Sequence, residues 1–183
     1  MLDKRCAAMA NLDGGDFHFT PFAENLPVPL LMLHSDLNRF YSYWQITPQN
    51  GPRSFNDFSY ERFEQAGLRP DIYRLQLKDS AHNGLTDLPL LIRQPLAQSL
   101  IGSTPSDILL QVPNDFVLGF FDKHLRGQAN GFPDAHYARH QGWALPYDNS
   151  ALRTWWLGKP EAERRAIEQR ITALKNEALQ LRQ

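Results

Sequence analysis

Apolar and polar positions fall into five patterns that predict regular structure. Val28-Pro29-Leu30-Leu31-Met32-Leu33 is a continuous apolar run between Pro27 and the polar His34-Ser35-Asp36. Such a run fits a central strand, buried on both faces of a parallel sheet. From Asp71 to Lys78 the pattern alternates, with Tyr73, Leu75 and Leu77 on one face and Arg74, Gln76 and Lys78 on the other. That predicts a half-exposed strand near a sheet edge. Between them Tyr60–Ala66 is a short helix candidate, with Asn56, Asp57 or Ser59 to cap it and Gly67 to stop it. Strand, helix and strand in that order make one βαβ unit.

A firmer helix is predicted from Asn114 to Leu125, where Phe116, Val117, Phe120, Phe121 and Leu125 recur at helical spacing. Asn114 can cap its start. Lys123, His124 and Arg126 precede Gly127, placing positive charge at the negative end of the helix dipole. A last helix starts at Pro160, followed by Glu161 and Glu163. Its apolar positions Ile167, Ile171, Leu174, Ala178 and Leu181 form a narrow stripe, suited to packing on its own domain or on a partner helix. Residues 128–158, with Gly131, Pro133, Gly142, Pro146 and three tryptophans (Trp143, Trp155 and Trp156), read as irregular chain anchored by aromatics. The division expected is therefore 1–127 as the α/β part, 128–158 as an irregular segment and 159–183 as a terminal helix, all within one domain.

Composition narrows the class. Of 183 residues 42% are apolar before its 11 glycines are counted, as in globular domains. The length suits one domain or a large part of one. Nineteen Lys and Arg against twenty Asp and Glu leave a net charge of -1, so bulk charge draws the chain neither to nucleic acid nor to anionic lipid. Cys6 is the only cysteine. It allows no internal disulfide or Cys-based zinc motif, and it leaves the redox compartment open. The longest apolar stretch, Val28–Leu33, is far short of the roughly 20 residues of a membrane-spanning helix. The Cys6–Leu12 stretch is too short and too soon polar for an export signal. The compartment is thus not set by this sequence.

Candidate chemistry sits at strand ends. Asn11-Leu12-Asp13-Gly14-Gly15 ends a weakly apolar run with an acid and two glycines. If that run is a strand rather than a helix over Ala7–Ala10, Asp13 lies at its carboxyl end, where open α/β sheets keep their sites. His82 follows the Asp71–Lys78 strand on what reads as a loop. Two such ends can bring an acid and an imidazole together, although on spacing alone both also read as ordinary turn residues. His136 and His140, four apart, have the spacing of metal ligands on a helix. Gly131, Pro133 and Gly142 argue against a long helix there, and no metal or other cofactor is expected. Leu37, Phe40, Tyr41, Tyr43 and Trp44 either line a substrate pocket, touch a lipid surface or pack down a long connection.

Asn11-Leu12-Asp13-Gly14, Val28–Ser35, Ser80-Ala81-His82-Asn83-Gly84-Leu85-Thr86-Asp87-Leu88-Pro89-Leu90 and Phe120–Gly127 follow one another in the order found in α/β-hydrolases, and the chain resembles their platelet-activating-factor acetylhydrolase family over residues 3–127. The resemblance implies a partial α/β-hydrolase fold, the C-terminal strands of a mainly parallel sheet with flanking helices. It makes Asp13 the acid and His82 the histidine of a Ser-Asp-His triad. Asp36, just beyond the Val28–Leu33 strand, is the rival acid, and Asp87 either bonds near His82 or caps the next turn. The substrate implied is a carboxylic ester, among them short-acyl phospholipids, with Phe40, Tyr41 and Trp44 in its pocket. The family's nucleophile sits on a G-x-S-x-G elbow, and these 183 residues hold no such motif. The family pattern puts that elbow just before Met1, so the chain reads as the C-terminal half of a serine hydrolase, inactive alone. Its partner would be the N-terminal half or a second chain; the other reading is a non-catalytic piece that docks on another chain.

Overall fold

The structure of the chain is a computed structural model, which describes residues 5–14, 28–36, 67, 69–92, 98–148, 154, 156–167, 169 and 173. The expected Tyr60–Ala66 helix and the aromatic residues Phe40, Tyr41 and Trp44 lie outside the described residues. The chain divides into two compact units. One comprises Met1–Gly14, Val28–Tyr43 and Asp71–Tyr147; the other comprises Gly15–Pro27, Trp44–Pro70 and Asp148–Gln183.

The first unit is built on a four-stranded sheet in the order β1 (Met9–Leu12), β2 (Leu30–His34), β3 (Ile72–Leu77) and β4 (Ala144–Pro146). β1, β2 and β3 are parallel, in a register that pairs Leu12 with Leu33 and Leu33 with Leu75. β4 adds to β3 in the antiparallel sense, with Leu77 opposite Ala144. Helices flank this mixed sheet, so the unit is α/β. All five residues of β2 are buried, as a run apolar to both faces requires.

One sheet face carries the main core. Leu31, Leu33, Leu75 and Leu77 pack there against Leu109, Val112, Phe116 and Phe120. The last four lie on a 21-residue helix, Ser106–Arg126. Two shorter helices, α1 (Leu88–Leu91) and α2 (Gln98–Ile101), precede it, so it is α3. The sequence places its start at Asn114, taken as a cap. Instead Pro113 lies inside the helix, buried with Leu109 and Val112. A proline inside a helix costs roughly 3 kcal/mol, but burying a leucine or valine side chain returns about 1.5–3 kcal/mol each. The extra turns therefore hold. The helix stops at Gly127, whose φ of 66° is left-handed, with Lys123, His124 and Arg126 in the last turn as expected.

β3 departs from the expected half-exposed edge strand. β4 closes its outer side, and Arg74, expected on a solvated face, is buried. Tyr147 explains this, because the Arg74 guanidinium carbon lies 3.8 Å from its ring centroid and the Tyr147 N–H donates to the Arg74 carbonyl at 3.0 Å. A cation stacked on an aromatic face tolerates burial. Among the described residues β1 and β4 are the outer strands of the sheet, and Leu12 at the end of β1 is 41% exposed.

Residues 128–158 are not irregular throughout. They hold helix α4 (Asp134–Arg139) as well as β4. Phe132 anchors the segment in a ring cluster with Tyr73, Phe116 and Phe120. His136 lies over Gly119 so closely that a Cβ there would fall on the imidazole. The two helices therefore approach at a glycine. Asp115 of α3 accepts hydrogen bonds from both Nε and Nη2 of Arg139 and takes His140 Nε2 at 2.9 Å. His136 Nε2 stands 3.9 Å from the same carboxylate. His136 and His140 thus face an acid that pins α4 to α3, and the described residues hold no group of three or more His, Cys, Asp or Glu placed for a metal ion.

This clasp is pH-sensitive. Burial pushes the His136 pKa below its ordinary 6.5, and the Asp115 carboxylate only partly offsets it. Burial alone would raise the Asp115 pKa, yet the hydrogen bonds from Arg139 and His140 outweigh it and hold the pKa below 3.8. For both groups the unfolded chain binds protons more readily than the folded one, so both shifts remove stability as pH falls. For His136 the loss begins as pH drops through 6.5. We expect the melting temperature to fall below about pH 6.5, and His136→Asn to flatten that part of the profile. An unchanged slope in the variant would contradict the account.

In the second unit, residues 161–167 are helical and start directly after Pro160, whose carbonyl accepts the Arg164 N–H at 3.1 Å. Glu163 pairs with Lys159 at 3.2 Å and Glu161 pairs with Arg165. Ile167 is half-buried; Ile171, Leu174, Ala178 and Leu181 lie outside the described residues. No described helix is long and apolar enough to cross a membrane.

Candidate active site

Three parallel strands end side by side, and their carboxyl ends bring together residues from far apart in the chain. Asp13 directly follows β1. Its φ of 52° is left-handed, a conformation that aspartate adopts more readily than most residues, and its N–H donates to the Leu33 carbonyl at 2.7 Å. The side chain is thereby turned across the end of β2. There Ser35 holds it twice, with its N–H on Oδ1 at 3.0 Å and its hydroxyl on Oδ2 at 2.6 Å. The imidazole of the neighbouring His34, itself buried against Tyr147, has its Nδ1 3.9 Å from Oδ1.

His82 opens a one-turn 3-10 helix, His82–Leu85, beyond β3. The turn is fixed from below. The Ala81 N–H donates to the Ile101 carbonyl at 3.0 Å, and the Ser103 N–H donates to the Asp79 carbonyl at 2.9 Å. Gly102, between those partners, has a φ of 92°, and a Cβ there would press on the Asp79 carbonyl and the Ala81 nitrogen. Gly84 is buried against the Ile101 carbonyl in the same way. The Thr104 hydroxyl donates to the Lys78 carbonyl at 2.6 Å.

His82 Nδ1 lies 2.9 Å from Asp13 Oδ2. A carboxylate only accepts, so Nδ1 is the donor and the neutral ring keeps its lone pair on Nε2. The Asp13 side chain is 3% exposed and that of His82 68%. A water-shielded acid therefore supports an imidazole open to solvent. Such a ring can take a proton at Nε2 while the buried carboxylate steadies the imidazolium.

The other candidate residues separate. Asp36, the rival acid, uses Oδ2 to accept the Asp79 N–H at 2.6 Å, whereas Asp13 carries the imidazole. Asp87 is exposed and stands just before α1 without capping it through its side chain. The Thr86 hydroxyl accepts the Leu88 N–H at 3.1 Å in its stead. Sequence reasoning missed Ser35 as a partner of Asp13. The one available signal was the abrupt polar triplet His34-Ser35-Asp36 after an apolar strand.

No protein-family model matches this chain, and no curated protein matches it. Among solved structures, it is similar to a ferulic acid esterase from Streptomyces cinnamoneus at 26% identity, over 69% of this chain and 35% of that one, with a TM-score of 0.45. The chain spans about a third of the esterase's length.

Proposed function

We propose that Asp13 and His82 are the acid and the base of a serine-dependent carboxylic ester hydrolase whose nucleophile and oxyanion donors come from polypeptide outside these residues. The 2.9 Å hydrogen bond between a buried carboxylate and an exposed imidazole carries this reading. His82 Nε2 takes the proton of the incoming serine hydroxyl as its oxygen attacks the ester carbonyl. It then gives that proton to the departing alkoxide, leaving an acyl-serine and a free alcohol. Water attacks the acyl-serine in the second half, losing a proton to Nε2; the bond between the acyl carbon and the serine oxygen then breaks, the serine oxygen takes that proton back from Nε2, and the carboxylic acid leaves. Asp13 stays ionised and holds Nδ1–H throughout.

Within that class, the pattern around His82 resembles the platelet-activating-factor acetylhydrolases, and short-acyl phospholipids are the proposed substrates. Phe40, Tyr41 and Trp44 are the proposed pocket residues. The test compares the 183-residue chain with the same chain extended through the reading frame upstream of Met1, on short-chain aryl esters and on short-acyl phospholipid. The chain alone is expected to stay near background and the extended chain to turn over. Equal turnover by the two would place the nucleophile within residues 1–183 and overturn the proposal. Hydrolysis of aryl esters without the phospholipid would remove the acetylhydrolase reading alone.

A further inference from the structure

The turn from β3 to His82 is short and contains a strained residue. Asp79 has a φ of 57°, in the left-handed region that aspartate enters more readily than most residues but still at a cost. Three residues later comes His82, so the setting of Asp79 directs the imidazole. Asp36 grips this turn at two points. Its Oδ2 accepts the Asp79 N–H at 2.6 Å, and its own N–H donates to the Ser80 carbonyl at 3.2 Å. Asp36 is buried, where a charge-assisted hydrogen bond is stronger than in water. The residue before it, Ser35, holds both oxygens of Asp13. Two consecutive residues at the end of β2 therefore hold the acid and the histidine loop.

From this geometry we infer that Asp36 is a positioning residue that sets the His82 ring against Asp13 through the Asp79 N–H. The inference rests on the roles proposed for Asp13 and His82. Asp36 does not share the imidazole proton; it fixes the loop from which the imidazole reaches Asp13. The carboxamide of Asn can accept the same N–H, whereas Ala cannot.

The test reads the neutral His82 ring by two-bond 1H–15N NMR on the full chain, together with exchange of the Asp79 amide. The wild type is expected to carry its ring proton on Nδ1, because the tautomer follows the hydrogen bond that the ring makes. In Asp36→Ala the Nδ1–H form should lose its dominance and the Asp79 amide should exchange roughly tenfold faster or more. Asp36→Asn should retain the Nδ1–H form. If Asp36→Ala does not fold, the double variant with Asp79→Gly removes the left-handed strain and is expected to show the same loss. An Nδ1–H ring in the folded Ala variant, or its loss in Asp36→Asn, would overturn the inference. Asp13→Asn separates the two readings. Should it leave the tautomer untouched, the Asp13–His82 pairing fails; should it shift the tautomer while the folded Ala variant does not, only the role of Asp36 fails.

Discussion

Asp13→Asn is expected to lower ester turnover of the enzyme carrying its nucleophile by roughly 10⁴-fold, with little change in fold. The carboxamide is nearly the size of the carboxylate, and its oxygen can still accept the Ser35 N–H in place of Oδ1, while its nitrogen takes the place of Oδ2, where the Ser35 hydroxyl can turn to accept from it. What changes is the side facing His82. An amide nitrogen turned toward Nδ1 donates, which forces the ring proton onto Nε2 and removes the lone pair that receives the serine proton. Lost charge adds to the effect, because the imidazolium would form above a neutral group. The check is kcat against KM, where the loss should fall on kcat. Asp36→Asn, which keeps the acceptor for the Asp79 N–H, should leave most of the rate. The opposite ranking of these two variants would return the acid role to Asp36.

The largest expected effect on stability is at Phe116. This ring is fully buried in α3 and meets Phe132, His136, Tyr137 and His140 within about 6 Å between centroids, as aromatic clusters do. It therefore joins the sheet core to α4, on which β4 follows. Phe116→Ala should cost about 3–5 kcal/mol, the transfer term plus the cavity that the surrounding rings cannot close. Leu118, on the same helix but 64% exposed, should tolerate alanine with almost no loss. Urea denaturation of the two variants checks the contrast, and equal midpoints would contradict the packing described.

Much of this was legible in the sequence because it rests on local signals. The apolar run at Leu30–Leu33 and the alternation at Ile72–Leu77 mark two strands, and the Phe116, Phe120 and Phe121 spacing marks the helix over them. Asp13 and His82 could be placed at strand ends by the turn residues that follow each strand. What escaped depends on distant partners. Arg74 reads as solvated until Tyr147 covers it. Asn114 reads as a helix cap, but the helix runs on from Ser106 through Pro113, where the burial of Leu109 and Val112 outweighs the proline's missing N–H. α4 is too short for periodicity to reveal, and its place is set by Asp115 and Gly119, neither of which carries a signal of its own. Asp36 reads as a rival acid by position, but its carboxylate accepts a backbone N–H, that of Asp79, which no side-chain motif announces.

The most direct test of the Asp13–His82 pair is labelling with a serine-directed fluorophosphonate probe, applied to the chain alone and to the chain extended through the upstream frame, each with and without His82→Ala. The account predicts no labelling of the 183-residue chain. It predicts labelling of one serine in the added segment, lost when His82 is replaced. Stoichiometric labelling of a serine within residues 1–183, Ser35 or Ser103 above all, or labelling of the extended chain that survives His82→Ala, would contradict it.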